Sequence, residues 1–173
     1  GSQVEVLSAW NKQRGNRDAV IKLHTGGGKT LVGLLITQSI INETNEPVLY
    51  LTPTTQLVSQ VIEKAKALGV AAVPYQKGAP LNDDFINGKA IMVAAYKALF
   101  NGRSKFGIRG GKISSVAAII LDDAHAAFSV VRDTFTIEIV SDNDSECYQK
   151  LVEIFRNAFD DIDRTGTFDD TVS

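Results

Sequence analysis

Short apolar runs alternate along the chain with segments whose apolar residues recur at helical spacing. Apart from Lys22 in the first, the apolar runs are continuous, which is typical of strands buried on both faces of a sheet. They are Ala19–Leu23, Val48–Leu51, Ala90–Ala94 and Val116–Leu121, with Val70–Val73 as a shorter candidate. Helical spacing occurs at Gln3–Gln13, Leu31–Ile36, Gln56–Leu68, Tyr96–Phe100 and Tyr148–Phe159, and a helical turn is expected within residues 76–87. This order predicts an α/β fold, a mostly parallel sheet covered by helices on both faces.

The chain length favours a single domain over residues 1–173. It has 173 residues, of which 44% are apolar, enough to bury a sizeable core. Gly1-Ser2 resembles an expression scar, and the chain does not begin with Met, so we expect an excised N-terminal piece of a longer protein. The pattern mixes strand and helix signals over Val130–Val140. Residues 129–173 are therefore treated as an acidic C-terminal part without an assigned role.

Charge is distributed unevenly along the chain. Residues 1–121 hold 14 Lys+Arg against 7 Asp+Glu, whereas residues 122–173 hold 4 against 13. A basic first part suits a polyanionic partner, although most charge runs are simply solvated faces. No apolar run approaches the roughly 20 residues that cross a bilayer, so no membrane contact is expected. Cys147 is the single cysteine, which favours a reducing compartment, the cytoplasm.

A glycine-rich segment between a predicted strand and a predicted helix carries the strongest chemical signal. It reads Thr25-Gly26-Gly27-Gly28-Lys29-Thr30. Glycines allow the backbone to turn its N–H groups toward a bound phosphate, Lys29 supplies a charge for the β- and γ-phosphates, and the Thr30 hydroxyl suits Mg²⁺. The phosphate-loop pattern expects glycine at position 23, where this chain has Leu23. The alternative is a glycine-rich turn with an exposed lysine.

Two acidic residues follow the most apolar predicted strand. Asp122 and Asp123 come directly after Leu121. A carboxylate at the C-terminal end of a parallel strand lies where such sheets bind ligands. Asp122 is therefore expected to hold Mg²⁺, and Asp123 to orient or deprotonate the attacking water. The alternative is an acidic N-terminal cap for a helix beginning near Ala124.

Together these segments resemble motifs I and II of the DEAD/DEAH-box helicases of superfamily two, here with Asp122-Asp123-Ala124-His125. The resemblance implies a RecA-like P-loop NTPase fold that binds ATP and Mg²⁺, with Lys29 and Asp123 catalytic and Thr30 and Asp122 on the metal. It also implies nucleotide contacts from Thr25, Gly26, Gly27, Gly28, Lys29 and Thr30, and from Gln3, which resembles the upstream glutamine that reads adenine.

The resemblance extends to segments that contact nucleic acid in the family. Leu51–Gln60 is similar to motif Ia, and Val93–Leu99 lies where the family has motif Ib. This implies nucleic-acid contacts from Pro53, Thr54, Gln56, Tyr96 and Lys97, without distinguishing DNA from RNA. His125 matches the motif II histidine that couples nucleotide to nucleic acid.

The sequence departs from the family pattern in three ways. Motif II has Asp123 in place of glutamate, no Ser-Ala-Thr triplet follows His125, and the second RecA-like domain that donates arginine fingers is missing from these residues. We therefore expect the ATP-binding domain of a nucleic-acid-dependent ATPase, a helicase or translocase, that hydrolyses ATP weakly without the second domain of its full-length chain. The alternatives are a binding-only nucleotide module and a P-loop ATPase acting on a substrate other than nucleic acid.

Overall fold

A parallel four-stranded sheet organises the first part of the chain. A computed structural model describes residues 2–24, 26–101, 104–106, 114–136, 139 and 145–160. The chain divides into two units, Gly1–Phe135 and Thr136–Ser173. The strands of the first unit are β1 (Val48–Thr52), β2 (Ala72–Pro74), β3 (Ile91–Ala95) and β4 (Ala118–Leu121). They lie in the order β2-β3-β1-β4, and every neighbouring pair is parallel.

Six helices accompany this sheet within the described part of the first unit. They are α1 (Ser2–Gln13), α2 (Lys29–Thr44), α3 (Thr55–Ala67), α4 (Asp83–Ile86), α5 (Tyr96–Leu99) and α6 (Ala124–Phe135). The α/β prediction is therefore confirmed. The short predicted strand at Val70–Val73 lies about two residues further on, as β2, and a helical turn does occur within residues 76–87, as α4.

Helices pack on both faces of the sheet because alternate residues of β1 point in opposite directions. Val48 and Tyr50 belong to an apolar cluster shared with α2 and α3. Leu49 and Leu51 belong to a second cluster, shared with Phe85 of α4 and with residues of α5 and α6. All five residues of β1 are buried. The unbroken apolar runs of the sequence thus reflect a central strand covered on both sides.

The predicted strand Ala19–Leu23 is wrong. Residues 18–24 form no regular secondary structure, and the Val20 side chain is 98% exposed. β4 is an edge of the sheet, where Ile119 and Leu121 are each 41% exposed. A β-branched run favours a strand only when a neighbour pairs with it and covers its side chains. Here the run precedes the glycine-rich loop, and no strand of the described residues pairs with it, so residues 19–23 do not form a strand.

The second unit contains helix α7 (Ser145–Asp160), which includes the predicted helix Tyr148–Phe159. Glu146 accepts a hydrogen bond from Lys150 one turn later, at 2.6 Å. Among the described residues, no helix is both long enough and apolar enough to span a bilayer.

Candidate nucleotide-binding site

The loop before α2 adopts the backbone conformation that its glycines permit. Gly26 and Gly28 have φ of 81° and 78°, in the left-handed region that favours glycine. Gly27 is held against the preceding turn, because its N–H donates to the His24 carbonyl at 3.0 Å. A Cβ at position 27 would lie 3.0 Å from that same oxygen. Three consecutive glycines are therefore explained by two left-handed residues and one close backbone approach.

The loop leads directly into the N-terminus of α2, which begins at Lys29. Gly28 precedes this helix, and no described side chain caps it with a hydrogen bond. The first N–H groups of a helix have no partner within it and carry a partial positive charge. An anion placed there gains both the hydrogen bonds and the helix dipole. The exposed Lys29 side chain adds a full positive charge at the same end.

Two carboxylates approach this helix end from β4. The Asp122 N–H donates to the Leu51 carbonyl at 2.9 Å, which extends the β1–β4 pairing past the end of the strand. Because the strands are parallel, this carboxyl edge lies beside the loop that feeds α2. A single hollow of about 360 Å³ results. It is lined by Gly26, Gly28, Lys29, Thr30, Pro53, Leu57, Lys64, Asp122 and Asp123.

Asp123 has an unusual backbone conformation for a residue with a side chain. Its φ is 56°, and with Asn45 it is one of two described non-glycine residues with positive φ. Aspartate tolerates the left-handed region better than most residues, since its short polar side chain can bond locally. The turn between β4 and α6 therefore favours aspartate here, which gives a physical reason for the departure from Asp-Glu-Ala-His.

Two tyrosine hydroxyls surround Asp122. Tyr96 donates to the Asp122 backbone carbonyl. Tyr50 lies near Asp122 and Thr30, whose side chains both act on its pKa. Burial raises the pKa of Tyr50 above its usual range, and the charge of Asp122 raises it further. Burial likewise raises the pKa of Tyr96, with added contributions from Asp122 and then Asp123. Both phenols therefore remain protonated donors at neutral pH.

Gln3 reaches the phosphate loop from α1. Its side-chain Nε2 donates to the Gly27 carbonyl at 3.2 Å. Helix α1 is held on α2 by Arg14, which contacts Glu43 at 2.5 Å and lies 4.7 Å from the Trp10 ring centroid. This anchor places the predicted adenine reader beside the loop, although its amide here bonds the loop backbone.

The donor chemistry of the hollow suits Mg²⁺. Thr30, Asp122 and Asp123 offer hydroxyl and carboxylate oxygens, which this hard cation prefers. Within the described part of the chain, no group of three or more His, Cys, Asp or Glu side chains is arranged to hold a metal. Mg²⁺ usually takes one or two protein ligands and completes its shell with water and phosphate oxygens. The residues present therefore fit a cation that arrives with a nucleotide.

The residues expected to touch nucleic acid occupy different environments. Pro53 lines the nucleotide hollow, and Gln56 is exposed on α3. Thr54 caps α3, since its hydroxyl accepts from the Leu57 N–H at 3.3 Å. The exposed Lys97 lines a second hollow of about 270 Å³, with Phe100, Asn101, Asp133 and Thr134.

Tyr96 requires a correction. Its side chain is 0% exposed and its hydroxyl is engaged with Asp122. A fully buried ring has no surface to present to a nucleic acid, so the predicted direct contact from Tyr96 is wrong.

His125 is exposed at the start of α6. Thr25 lies outside the described residues.

The sequence pattern did not indicate two residues that line the hollow, nor Tyr50, which lies near Asp122. Leu57 and Lys64 lie seven residues apart on α3 and therefore share a face, but only the packing of α3 turns that face toward the loop. Tyr50 was included in an apolar strand, although a tyrosine in a buried strand signals a hydroxyl that needs a partner.

The parallel sheet with helices on both faces and a phosphate loop at its carboxyl edge defines a RecA-like domain. Residues 2–152 match the sequence profile of the DEAD/DEAH box helicase family. The chain belongs to this family.

The fold is also similar to part of a solved structure. That structure is a nuclease-deletion mutant of the Type ISP restriction-modification enzyme LlaGI in complex with a DNA substrate mimic, matched at 18% identity with a TM-score of 0.54. The match covers 76% of this chain and 16% of that one. At this identity the likeness shows the fold alone. No curated protein sequence matches the chain.

Proposed function

We propose that the chain is the ATP·Mg²⁺-binding domain of a nucleic-acid-dependent ATPase, a helicase or translocase, and that it is incomplete for hydrolysis without a second RecA-like domain. The observation that carries this proposal is the shared hollow. Lys29 and Thr30, at the start of one helix, line it together with Asp122 and Asp123, at the end of a strand 93 residues later in the chain.

In this proposal, different residues of the chain bind the phosphates, the cation and the attacking water. The first N–H groups of α2 and the Lys29 ammonium hold the β- and γ-phosphates. Thr30 and Asp122 hold the cation, which when bound neutralises charge on the phosphate oxygens. Asp123 orients the attacking water. Its carboxylate extends about 1 Å less than that of glutamate, and a misplacement of that size costs about 100-fold in rate.

Transition-state charge on the transferred phosphoryl group requires a further cation. In enzymes of this class an arginine supplies it, with an effect of about 10³- to 10⁵-fold on the rate. The family resemblance assigns that arginine to the second RecA-like domain. We therefore expect the 173-residue chain to bind nucleotide and to turn it over weakly or undetectably. Rapid turnover by the chain alone contradicts this part of the proposal.

Nucleotide binding is tested with a fluorescent ATP analogue titrated with and without Mg²⁺. Lys29→Ala removes one charge-assisted contact and is expected to weaken binding by about 10- to 100-fold. Lys12→Ala removes an exposed lysine of α1 that does not line the hollow, and it should leave the affinity unchanged. Equal affinities for the Lys29 variant and the wild type refute the proposed site.

Nucleic-acid binding is tested by gel shift over a series of salt concentrations. Single-stranded and duplex DNA and RNA are compared, because the sequence does not discriminate among them. If Lys97 contacts a phosphate, Lys97→Ala lowers the slope of log affinity against log salt by about one. Gln56→Ala weakens binding with little change in that slope. Unchanged shifts for both variants remove these residues from the interface.

A binding-only nucleotide module is the second candidate, favoured by Asp123 where the family has glutamate. The shorter carboxylate extends about 1 Å less toward an attacking water. Nucleotide binding without turnover, even after the second domain is supplied, selects this candidate. If ATP hydrolysis is stimulated by a ligand other than nucleic acid, the chain belongs to a P-loop ATPase that acts on that other kind of substrate.

A further inference from the structure

The Gln3 side chain contacts the phosphate loop on the side that faces α1. Its Nε2 donates to the Gly27 carbonyl at 3.2 Å, 24 residues later in the chain. The amide also lies against Gly28, because a Cβ there would be 3.3 Å from Gln3 Cδ and closer still to Nε2. Glycine at position 28 therefore has two roles: it permits φ of 78°, and it leaves room for this amide.

Helix α1 is attached to α2 at both of its ends. At the far end, Arg14 donates to the Ser39 hydroxyl at 3.2 Å and pairs with Glu43 at 2.5 Å. At the near end, Gln3 contacts the loop that precedes α2. The two helices therefore run side by side in the same direction. Gln3 and Arg14 are separated by about 17 Å of helix, as are Gly28 and Ser39, so both contacts form together.

The Gln3 hydrogen bond orients one peptide group of the loop. The Gly27 carbonyl and the Gly28 N–H belong to the same planar peptide, and no cis peptide bond occurs among the described residues. In a trans peptide the C=O and the N–H point in opposite directions. A carbonyl held toward α1 therefore directs the Gly28 N–H away from α1. Gly28 lines the hollow, where N–H groups of a glycine-rich loop bind phosphate.

The same hydrogen bond prepares the loop for an anion in two ways. A peptide carbonyl that accepts a hydrogen bond polarises its amide, which makes the N–H of that amide a stronger donor. Glycine also loses more backbone entropy than any other residue when it is fixed in one conformation. A bond from outside the loop restricts Gly27 and Gly28 before the phosphate arrives, so less entropy is lost on binding.

We propose that Gln3 is a positioning residue for the phosphate loop and supports phosphate binding whatever base the nucleotide carries. The inference rests on the proposed nucleotide site. It differs from the role that the family resemblance implies, in which Gln3 reads adenine. A glutamine reads adenine with its donor and its acceptor together, at N6 and N7. Here the donor nitrogen faces the loop backbone, and the described lining of the hollow does not include Gln3.

The test compares phosphate ligands with and without a base. Inorganic tripolyphosphate, GTP and ATP each displace a methylanthraniloyl derivative of ADP from the 173-residue chain in the presence of Mg²⁺. Gln3→Met keeps the length of the side chain and removes its donor. We expect it to weaken all three competitors by a similar factor, about 3- to 10-fold. Gln13→Met, at the exposed far end of α1, is the matched control and should leave all three affinities unchanged.

The outcomes separate the inference from the proposed function. A wild type that binds none of these ligands refutes the proposed function, and the inference with it. An equal tripolyphosphate affinity in wild type and Gln3→Met refutes the inference alone. A loss of affinity confined to ATP assigns adenine reading to Gln3 and also overturns the inference.

Trp10 reports whether α1 stays docked in the variant. It is the single tryptophan of the chain and lies on α1, with the Arg14 guanidinium 4.7 Å from its ring centroid. Weaker tripolyphosphate binding with wild-type Trp10 emission supports the inference, because α1 is then still in place. If the emission matches that of the unfolded chain, a measurement on the wild type replaces the variant.

That measurement follows the side-chain amides of Gln3 and Gln13 by NMR in ¹⁵N-labelled wild-type protein. Tripolyphosphate should shift the Gln3 resonances, because an anion on the loop polarises the Gly27–Gly28 peptide that Gln3 bonds. The Gln13 resonances should stay in place. Gln3 resonances that do not respond to tripolyphosphate overturn the inference, whether or not ATP shifts them.

Discussion

Replacing Gly33 by alanine has two opposite effects on the free energy of unfolding, one from helix propensity and one from packing. In the middle of a helix this change alone stabilises by about 1 kcal/mol. The structure gives the opposite sign. The added Cβ would lie 2.8 Å from Tyr50 Cε2, closer than real contacts allow, and the ring is 1% exposed. Overpacking of this kind costs about 1–3 kcal/mol, so we expect a net loss of about 1 kcal/mol.

Thermal and urea unfolding measure this loss. For a chain of this size a loss of 1 kcal/mol lowers Tm by about 3 °C. Gly15→Ala is the control, because Gly15 has an ordinary φ and no atom within 4 Å of an added Cβ. It should be neutral or stabilise by up to about 1 kcal/mol. A Gly33→Ala variant that gains stability as Gly15→Ala does refutes the reasoning.

A double-mutant cycle identifies the clash itself. Tyr50→Leu removes the ring, so Gly33→Ala should cost less in that background than in the wild type. The coupling expected for residues in direct contact is about 0.5–3 kcal/mol. A coupling near zero indicates that the Gly33 effect arises elsewhere in α2.

Three further predictions concern the hollow and its surroundings. Asp123→Gly should raise the free energy of unfolding by up to about 1 kcal/mol in urea titrations, because φ of 56° strains any residue with a Cβ; a loss of stability contradicts this. Lys64→Ala should weaken nucleotide binding by about 3- to 10-fold, whereas Lys66→Ala, on the same helix but outside the hollow, should not; equal effects in fluorescence titration refute a contact from Lys64. Stability should fall as pH rises above about 10. The pKa values of Tyr50 and Tyr96 are raised in the fold, so their contribution is full below the unfolded pKa and is lost once the unfolded tyrosines ionise. The slope is at most about 1.4 kcal/mol per pH unit for each tyrosine, and a Tyr96→Phe variant with an unchanged alkaline slope in thermal melts contradicts this assignment.

Local chemistry made the phosphate loop and the acidic pair predictable. Glycines at positions 26 and 28 signal positive φ, and the structure has φ of 81° and 78° there. An unbroken apolar run signals a strand buried on both faces. β1 and β3 overlap such runs and are buried, whereas β4 lies at the sheet edge and leaves Ile119 and Leu121 each 41% exposed. In each case the residue type reflects the local backbone conformation, so the residues adjacent in the chain are enough to predict it.

The predictions that failed depended on partners distant in sequence. The strand expected at Ala19–Leu23 required a neighbouring strand, and its Val20 side chain is exposed instead. Tyr96 matched a nucleic-acid motif by position, but its ring is buried and its hydroxyl bonds Asp122, 26 residues later. Pairing and burial of this kind are decided by which segments meet.

The sequence by itself determined the α/β class, the phosphate loop and the acidic strand end, because each follows from local conformational preference and from apolar spacing. The sequence also predicted that Lys29 and Asp122 serve one site, and the structure places both in one hollow. The tertiary structure alone decided that α3 contributes Lys64 to that hollow and that Gly33 makes room for Tyr50. The physical reason is that parallel strands bring their carboxyl ends to one edge of the sheet. Residues far apart in the chain then share a single pocket there, and their hydrogen bonds form only after the strands have paired.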